Sequence, residues 1–370
     1  MSDLSLQNRS KPYRVGWIIG NQLAESRFFH RLNVHIGGIS LVRFAWITAQ
    51  INETPEYKLK YEIYQPWRKY DALIFLKSMG DKSLSLLKRY HGKGLPVFFD
   101  ANVNYYQIEG TEYYGGMLPS LQQKEEAIKM TESVDGVIAD SEFLQKICAH
   151  YNARVIWIPD NVRMDLVPPY RPWRISGGRV PLLWSGEALK LFELLAIEDL
   201  LNRYSSKIEL VLVTNDLSAL ERWHPGYQDR FQSLLGMVPH RIIPYQSVEQ
   251  LFQIYSQGGV AISPRFLDNS YNRGHTEWKI TLGMACGRMV FCSPVPSYVK
   301  VAELSNGKGI RVCYTPEDWH SALEALLSAE MDLEMEEGAA QGVVEKYYST
   351  PVVAEKQAGF VRSVLSNFHC

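Results

Sequence analysis

The strongest candidate for chemistry in this sequence is a cationic loop that leads into a helical pattern. It runs Asn272-Arg-Gly-His-Thr-Glu-Trp-Lys279 and continues into an apolar stretch that ends at Gly287. Helix N-termini attract phosphate because their backbone N–H groups are free and the helix dipole is positive there. We expect a helix to begin near His275 or Thr276, with Thr276 as its cap or as a hydroxyl donor and Lys279 one turn later. The pattern predicts an anion site, although a capped helix with a solvated lysine has the same sequence pattern.

A second loop of this kind follows an apolar run that ends at Ser185 and Gly186. A glycine directly after a strand allows the backbone to approach a ligand closely. Lys190 lies in the first turn of the helix predicted next, where its ammonium group could reach the same anion. A plain strand-to-helix turn is the alternative interpretation.

A third loop contains Gly37 and Gly38, which open a predicted helix that carries Arg43, with Ser40 as a candidate for its cap. Guanidinium groups suit phosphate because they donate paired hydrogen bonds. Two glycines before a helix are common, so this pattern has low specificity. The fourth feature is Asp100, which follows the apolar run Val97–Phe99. It is either a functional carboxylate or the cap of the next helix.

Other catalytic patterns are missing from the sequence. It has no nucleophile elbow, no phosphate loop of the Walker type and no histidine spacing that binds a metal, so we expect no metal site. The nine histidines are scattered. The five cysteines are odd in number and show no paired spacing, which is typical of reduced thiols in a cytoplasmic protein.

The elements that would position these loops alternate along the chain. Short apolar runs rich in β-branched residues are separated by helical patterns, which indicates parallel sheets covered on both faces. The predicted strands are Val15–Ile19, Tyr61–Tyr64, Ala72–Leu76, Val97–Phe99, Gly136–Ala139, Arg154–Ile158, Pro181–Trp184, Ile208–Thr214, Arg241–Ile243, Val260–Ile262, Met289–Cys292 and Ile310–Cys313. The predicted helices include Ser83–Tyr90, Leu121–Thr131, Leu189–Arg203, Val248–Gln257, Thr276–Cys286 and Pro316–Ser328.

A stretch dense in Pro and Gly interrupts this alternation at Val167–Gly178. We therefore predict an α/β protein of two doubly wound Rossmann-like domains with a cleft between them. The domains are residues 1–165 and 180–345, joined by a linker at 166–179. Residues 346–370 are predicted to form a helix that packs back on the first domain.

Composition and charge limit the partners. The chain has 370 residues and a formal net charge of −1, so its overall charge does not favour nucleic acid. Residues 1–99 hold 15 Lys and Arg against 7 Asp and Glu, whereas residues 100–160 hold 4 against 10. The sequence shows neither an apolar signal core nor a run of about 18 apolar residues. We expect a cytoplasmic protein whose membrane contact, if any, is peripheral, through the basic N-terminal domain; solvated surface is the simpler explanation of those charges.

Taken together, these segments resemble the retaining glycosyltransferases of the two-domain GT-B fold (group 1, or family 4-like, of bacterial type). The resemblance covers nearly the whole chain and is strongest over Asn272–Tyr298, where Ala285–Ser293 is similar to a small-residue stretch of the family. Pro244–Leu251 is similar to the segment that lines the family's nucleoside pocket. Gly38–Arg43 is similar to its glycine-rich loop near the donor phosphates.

The resemblance implies transfer of a sugar from a nucleotide-diphosphate donor to a glycan, a lipid-linked acceptor or another acceptor, with retention and without a metal or other cofactor. It assigns Arg43 to catalysis, with Asp100 and His35 as candidates for contact with the sugar or the acceptor. It implies that the donor binds to Gly37, Gly38, Ser185, Gly186, Lys190, Tyr245, Gln246, His275, Thr276, Glu277 and Lys279. Surface polysaccharide or lipid-linked glycan assembly is the usual setting of such enzymes.

Some positions depart from the family pattern. Leu282 replaces a carboxylate that contacts the ribose in many relatives, so Glu277 is a candidate for that contact. Asn102 stands where some relatives have a further carboxylate, and His275 and Lys190 stand at the phosphate-binding lysines. Three alternatives therefore stay open: a catalytically degenerate homologue that binds nucleotide-sugar or a partner subunit, a nucleotide-sugar 2-epimerase of the same fold, and a two-lobed solute-binding protein.

Overall fold

The computed structural model describes residues 11–23, 38–110, 119–175, 178–223 and 225–368. The chain forms two compact units. The first comprises residues 1–108, 119–161 and 349–370, and the second comprises residues 109–118 and 162–348.

The first unit contains a six-stranded sheet in the order β2-β1-β3-β4-β5-β6, in which all neighbours are parallel. Its strands are β1 (Tyr13–Ile19), β2 (Leu59–Ile63), β3 (Ala72–Leu76), β4 (Val97–Ala101), β5 (Gly136–Ala139) and β6 (Val155–Trp157). A π-helical segment, Leu41–Trp46, continues into α1 (Ile47–Glu53), and a short 3-10 turn follows at Pro55–Tyr57. The other helices are α2 (Asp81–His91), α3 (Leu121–Ser133), α4 (Glu142–Cys148) and the last helix of the chain.

The second unit repeats this architecture with the order β12-β11-β10-β7-β8-β9, again with parallel neighbours throughout. Its strands are β7 (Val180–Ser185), β8 (Ile208–Thr214), β9 (His240–Pro244), β10 (Val260–Ser263), β11 (Val290–Cys292) and β12 (Ile310–Val312). All twelve predicted strands overlap an observed strand, which confirms the α/β fold class with two doubly wound sheets.

The helices of the second unit follow its strands. They are α5 (Glu198–Arg203), α6 (Ser218–Trp223), α7 (Pro225–Met237), α8 (Val248–Ser256), α9 (Ser270–Arg273), α10 (Trp278–Ala285), α11 (Pro296–Leu304), α12 (Pro316–Leu327) and α13 (Leu333–Tyr347). A 3-10 turn at Met164–Leu166 precedes β7. Helix α13 ends at Tyr347, and α14 (Thr350–Phe368), which lies within the helix predicted over residues 346–370, begins just after it.

The helix predicted over Leu189–Arg203 is only partly correct. Residues Ala188–Ile197 form a 3-10 helix, and only Glu198–Arg203 is α-helical. Burial extends over most of this 3-10 helix, since Leu191, Leu194 and Ile197 are buried and so are Phe192, Glu193 and Leu195. Apolar residues at nearly every position show no period that separates three residues per turn from 3.6.

Helix α14 packs on one face of the first sheet. Val361 and Val364 are fully buried in the same cluster as Trp17 and Ile74 of the sheet. The Phe360 ring meets the Phe98 ring edge-on at 5.9 Å. The last helix therefore completes the core of the first unit.

In the second unit a buried ion pair joins the end of α10 to α13. Arg288 and Glu337 are both shielded from solvent, and Nη1 of Arg288 lies 2.8 Å from Oε1 of Glu337. The Tyr170 hydroxyl donates to Oε2 of Glu337 at 2.7 Å, and Nη2 of Arg288 donates to the Arg171 carbonyl at 3.0 Å. The pair thus also fixes the segment that leads into β7.

We expect Arg288→Met to lower the free energy of unfolding by about 3 kcal/mol, because it leaves a carboxylate buried without its partner. The measurement is urea unfolding followed by tryptophan fluorescence. A second substitution, Glu337→Gln, should restore part of the loss. The matched control is Arg241→Met, which removes a largely exposed pair with Glu209 and should cost less than about 1 kcal/mol. Equal losses in the two single variants would contradict this account.

Candidate anion-binding site

The strand order of the second sheet reverses between β7 and β10, which makes this point the topological switch point of the sheet. These strands are neighbours, but β7 is followed by β8 on one side, whereas β10 is followed by β11 on the other. Loops that leave the carboxyl ends of two such strands diverge and leave room for a ligand. The loop after β7 carries Gly186 and Lys190, and the loop after β10 leads to α10 and Lys279.

Lys279 places its ammonium nitrogen inside this region. The residue as a whole is half-buried, but its Nζ atom is shielded from solvent and has no hydrogen-bond partner among the described residues. Nζ lies 4.1 Å from the centre of the Trp184 ring, and this ring is fully buried near the end of β7. Burial, and next the neighbouring Arg265 guanidinium, lowers the pKa of Lys279 well below its ordinary value. The arrangement is an amine whose charged form lacks a hydrogen-bond acceptor among the described residues.

Gly186 leaves the space in which Lys279 and Trp184 meet. A Cβ atom at this position would lie 2.9 Å from the Trp184 ring and 3.4 Å from Nζ of Lys279. Any larger residue would therefore displace the ring or the amine. The backbone N–H of Gly186 donates to the Val213 carbonyl, which continues the strand pairing.

Two further charged side chains form a buried pair beside Lys279. Nη1 of Arg265 lies 2.8 and 2.6 Å from the two carboxylate oxygens of Glu193, and both side chains are almost fully shielded. Arg265 follows β10, and Glu193 lies in the 3-10 helix after β7. The Glu193 carboxylate makes its close contact with Arg265, and no hydrogen bond joins it to Nζ of Lys279.

Lys190 and His275 meet at the same edge of the sheet. Nζ of Lys190 lies 3.4 Å from Nε2 of His275 and 5.7 Å from the centre of the Tyr271 ring. The Ser297 hydroxyl donates to the His275 carbonyl at 2.6 Å and holds this loop in place. The structure thus brings Gly186, Lys190, His275 and Lys279 together, and each of them is a predicted donor-binding residue.

The remaining predicted donor-binding residues of the second unit have other surroundings. Ser185 is buried, with its hydroxyl 3.0 Å from that of Tyr255. Tyr245 is 45% exposed, and its backbone N–H donates to the Thr214 carbonyl. The Gln246 N–H donates to the side chain of Gln250. No hydrogen bond among the described residues joins Tyr245 or Gln246 to Lys279.

Two predicted helix caps are wrong. Helix α10 begins at Trp278, so Glu277 and not Thr276 occupies the cap position, and no side chain caps it. Ser40 has helical backbone angles (φ −71°, ψ −24°) and makes no capping bond. A cap needs extended backbone angles to turn its hydroxyl back towards the first N–H groups, and Ser40 does not have them.

In the first unit Arg43 and Asp100 are buried against each other. Nε of Arg43 donates to both carboxylate oxygens of Asp100, and Nη2 donates to the second of them at 3.1 Å. Nη1 donates to Asp160 and to the Ile158 carbonyl. All three nitrogens of the guanidinium group therefore donate to acceptors of the first unit. These acceptors explain how the charge of Arg43 is stabilised in the core, and no phosphate is needed for it.

A third carboxyl group, that of Asp140, completes this buried cluster. Neither of its oxygens has a hydrogen bond of good geometry among the described residues, so Arg43 acts on it only through its charge. Burial raises the pKa of Asp100 to about 6 against the opposing charge of Arg43. Burial, and next Asp160, raises the pKa of Asp140 well above its ordinary value. Both shifts favour the protonated carboxyl, and Arg43 opposes the shift at Asp100 through direct hydrogen bonds that Asp140 lacks.

His35 and Gly37 lie outside the described residues. Gly38 has a positive φ of 52°, which suits glycine, and no atom lies within 4 Å of where its Cβ would be. The described residues contain no group of three or more His, Cys, Asp or Glu arranged to hold a metal ion. No helix in the described part of the chain is long and apolar enough to cross a membrane.

Trp184, Arg265 and Glu193 belong to the observed site but were not among the residues predicted from the sequence. Arg265 follows the apolar run Val260–Ile262 closely, and a charge at that position is a detectable signal. Glu193 lies within an otherwise apolar stretch, which predicts burial and hence a partner. The contact of Trp184 with Lys279 joins residues 95 positions apart and leaves no local signal.

Comparison with known proteins shows likeness in structure alone. No protein-family model and no curated protein matches the sequence. Among solved structures, a glycosyltransferase from Rickettsia africae aligns with a TM-score of 0.64 at 13% identity, covering 97% of this chain and all of that one. Sucrose-phosphate synthase from Thermosynechococcus elongatus aligns at 0.63 and 11% identity, over 96% of this chain and all of that one. The fold is that of the GT-B glycosyltransferases.

A third structure of this fold contains a nucleotide. HepE from Anabaena in complex with UDP has a TM-score of 0.65 at 10% identity, covering 95% of this chain and 100% of that chain. HepE is also known in complex with UDP-glucose, and that complex aligns at 0.64 and 11% identity over the same share of each chain. At such identities the likeness concerns the course of the backbone.

The buried carboxyl cluster predicts how stability depends on pH. A carboxyl whose pKa is higher in the folded than in the unfolded protein lowers stability as pH rises from about 4 through the folded value. Asp140→Asn removes that penalty. We expect the thermal midpoint at pH 8 to rise by about 2–4 °C, which corresponds to about 1 kcal/mol for a unit of this size.

The gain should shrink at pH 5, where the carboxyl of the unmodified protein is protonated. Glu132→Gln, an exposed change on α3 of the same unit, serves as the control and should leave the difference between pH 5 and pH 8 unaltered. Destabilisation by Asp140→Asn at pH 8, or the same shift at both pH values, would contradict the assignment.

Proposed function

We propose that this protein transfers a sugar from a nucleoside-diphosphate donor to an acceptor hydroxyl, and that the diphosphate binds at the carboxyl ends of β7 and β10. The observation that carries the proposal is the shielded ammonium of Lys279, which lies at the switch point of the second sheet with no hydrogen-bond acceptor among the described residues. A diphosphate would supply the missing acceptor.

The charges around Lys279 support a dianionic or trianionic ligand. Lys279, Lys190 and Arg265 contribute positive charge, and the carboxylate of Glu193 compensates one of them through its pair with Arg265. His275, 3.4 Å from Lys190, adds a further donor. A buried excess of positive charge is costly without a counter-ion and therefore favours binding of an anion. The GT-B fold and the UDP complexes of HepE agree with this interpretation.

Such a site fits the chemistry of glycosyl transfer. As the bond between the anomeric carbon and the phosphate oxygen breaks, negative charge grows on the leaving diphosphate. Preorganised cations stabilise that charge more in the transition state than in the bound donor, and this difference lowers the barrier. The acceptor oxygen then bonds to the anomeric carbon, and its proton goes to the leaving phosphate. Retention of configuration and independence from metal ions are part of the proposal, as implied by the family resemblance.

A non-catalytic nucleotide-sugar-binding protein is the second candidate, favoured by one observation. Leu282 is 1% exposed in α10, at the position where many proteins of this family carry a carboxylate that contacts the ribose. Donor binding without transfer or hydrolysis of the sugar would support this alternative. Transfer to any hydroxyl acceptor would exclude it.

The first test is the thermal stability of the protein with UDP, GDP, ADP and their common sugar conjugates. We expect at least one nucleoside diphosphate to stabilise the protein, by about 2.7 kcal/mol at one hundred times its Kd. The matching nucleoside should have no effect, because it lacks the charge that the site would bind.

Lys279→Met should weaken binding of the same nucleotide by about ten- to one-hundredfold, as expected for loss of a charge-assisted hydrogen bond. The matched control is Lys308→Met, which removes the same charge from an exposed turn of the same unit and should leave the Kd unchanged. Absence of binding by every nucleotide, or equal weakening in both variants, would rule out the proposed donor site.

A further inference from the structure

Lys279 contacts an aromatic face where a charged partner would be expected. Its Nζ lies over the indole of Trp184, 4.1 Å from the ring centre, and is shielded from solvent. A cation over the face of a tryptophan is stabilised by the ring quadrupole, more strongly when the pair is desolvated. This stabilisation is much smaller than the hydration free energy that a buried ammonium group loses.

The charged groups on the elements packed around Lys279 do not compensate for this lost hydration. Arg265, on the loop after β10, and Lys190, in the 3-10 helix, are like charges. Glu193 is the favourable charge, but both of its oxygens lie within 2.8 Å of Nη1 of Arg265. His275, which precedes α10, has its Nε2 next to Lys190. Burial and Arg265 together lower the pKa of Lys279 well below its ordinary value.

We propose that Lys279 is incompletely protonated in the free protein and that its Nζ takes up one proton from solvent when a diphosphate binds. In the free protein the Trp184 ring stabilises the cationic form in place of an anionic partner. This inference rests on the proposed diphosphate site. It makes Trp184 a positioning residue, because the ring acts on the ligand only through Lys279, and it makes nucleotide affinity depend on pH through this one amine.

The sign of that dependence follows from linkage. A bound diphosphate favours the charged amine, so the pKa of Lys279 is higher in the complex than in the free protein. Affinity is then constant below the free value and falls about tenfold per pH unit between the free and the bound values. An arginine at position 279 would stay charged throughout and would remove this dependence.

The free protein is tested first, without any nucleotide. Lysine labelled with 13C at Cε is incorporated, and the resonance of Lys279 is identified by its absence in Lys279→Arg. We expect it to titrate below the value of about 10.4 that is usual for lysine. Trp184→Leu should lower its midpoint further, because the cation loses its aromatic face, and Trp184→Phe should lower it less.

Titration of Lys279 together with the exposed lysines would overturn the inference. So would an unchanged midpoint in both Trp184 variants. If Trp184→Leu does not fold because the ring belongs to the core of the second unit, Trp184→Phe and the unmodified protein still decide the question.

Proton uptake on binding is tested by calorimetric titration with UDP at pH 8.5, where the nucleotide is fully ionised. The titration is repeated in buffers of different ionisation enthalpy, none of which contains phosphate. We expect the unmodified protein to take up between about 0.5 and 1 proton per UDP, and Lys279→Arg to bind UDP with no uptake.

The outcomes separate the two proposals. Binding of UDP by the unmodified protein without proton uptake overturns this inference and leaves the proposed function intact. Equal uptake by the unmodified protein and by Lys279→Arg assigns the proton to another group and also overturns it. If neither protein binds UDP, GDP or ADP, the proposed donor site fails and this inference fails with it.

Discussion

Parallel pairing throughout both sheets is the constraint on which the rest of this structure depends. Parallel strands need crossover connections, and these cover both faces of the sheet with helices. The loops that leave the carboxyl ends of the strands then emerge at one edge. Polar residues that follow the strands are thereby collected into a small region that is shielded by helices on either side. Charge in such a region must be paired, neutralised or balanced by a ligand.

The two units differ in the sign of the charge that is in excess at the carboxyl ends of their strands. At the edge of the first sheet, Arg43 faces Asp100, Asp140 and Asp160, so negative charge is in excess. At the edge of the second sheet, Glu193 pairs with Arg265, while Lys279 and Lys190 add further amines, so cationic groups are in excess. A carboxyl group can relieve the first excess by taking a proton. The second can be relieved by losing a proton or by binding an anion, and only the latter gives the site a function.

The sequence predicted much of this arrangement. Strand positions were predictable because most of the strands are buried on both faces, and an apolar run such as Val260–Ile262 reflects that burial directly; the edge strand β9 is an exception and is largely exposed. Lys279 and Lys190 could be proposed as anion ligands from their positions after such runs. The helix over Ala188–Ile197 was assigned the wrong type, because nearly all of it is apolar and buried and the sequence therefore shows no period that separates a 3-10 helix from an α-helix. Arg43 was interpreted as a phosphate ligand, but its acceptors lie on β4 and just beyond β6, where local sequence gives no indication of them.

By itself, the sequence determined the order of strands and helices, the fold class and the cationic loops, because these depend on periodicity and on neighbours along the chain. Only the tertiary structure decided which charges are paired. Glu193 binds Arg265 across 72 positions, and Lys279 contacts Trp184 across 95. The pKa of Lys279, its lack of an acceptor and its contact with Trp184 all depend on distances and on solvent exposure. For residues so far apart in the chain, only the packing of the folded protein sets these two quantities.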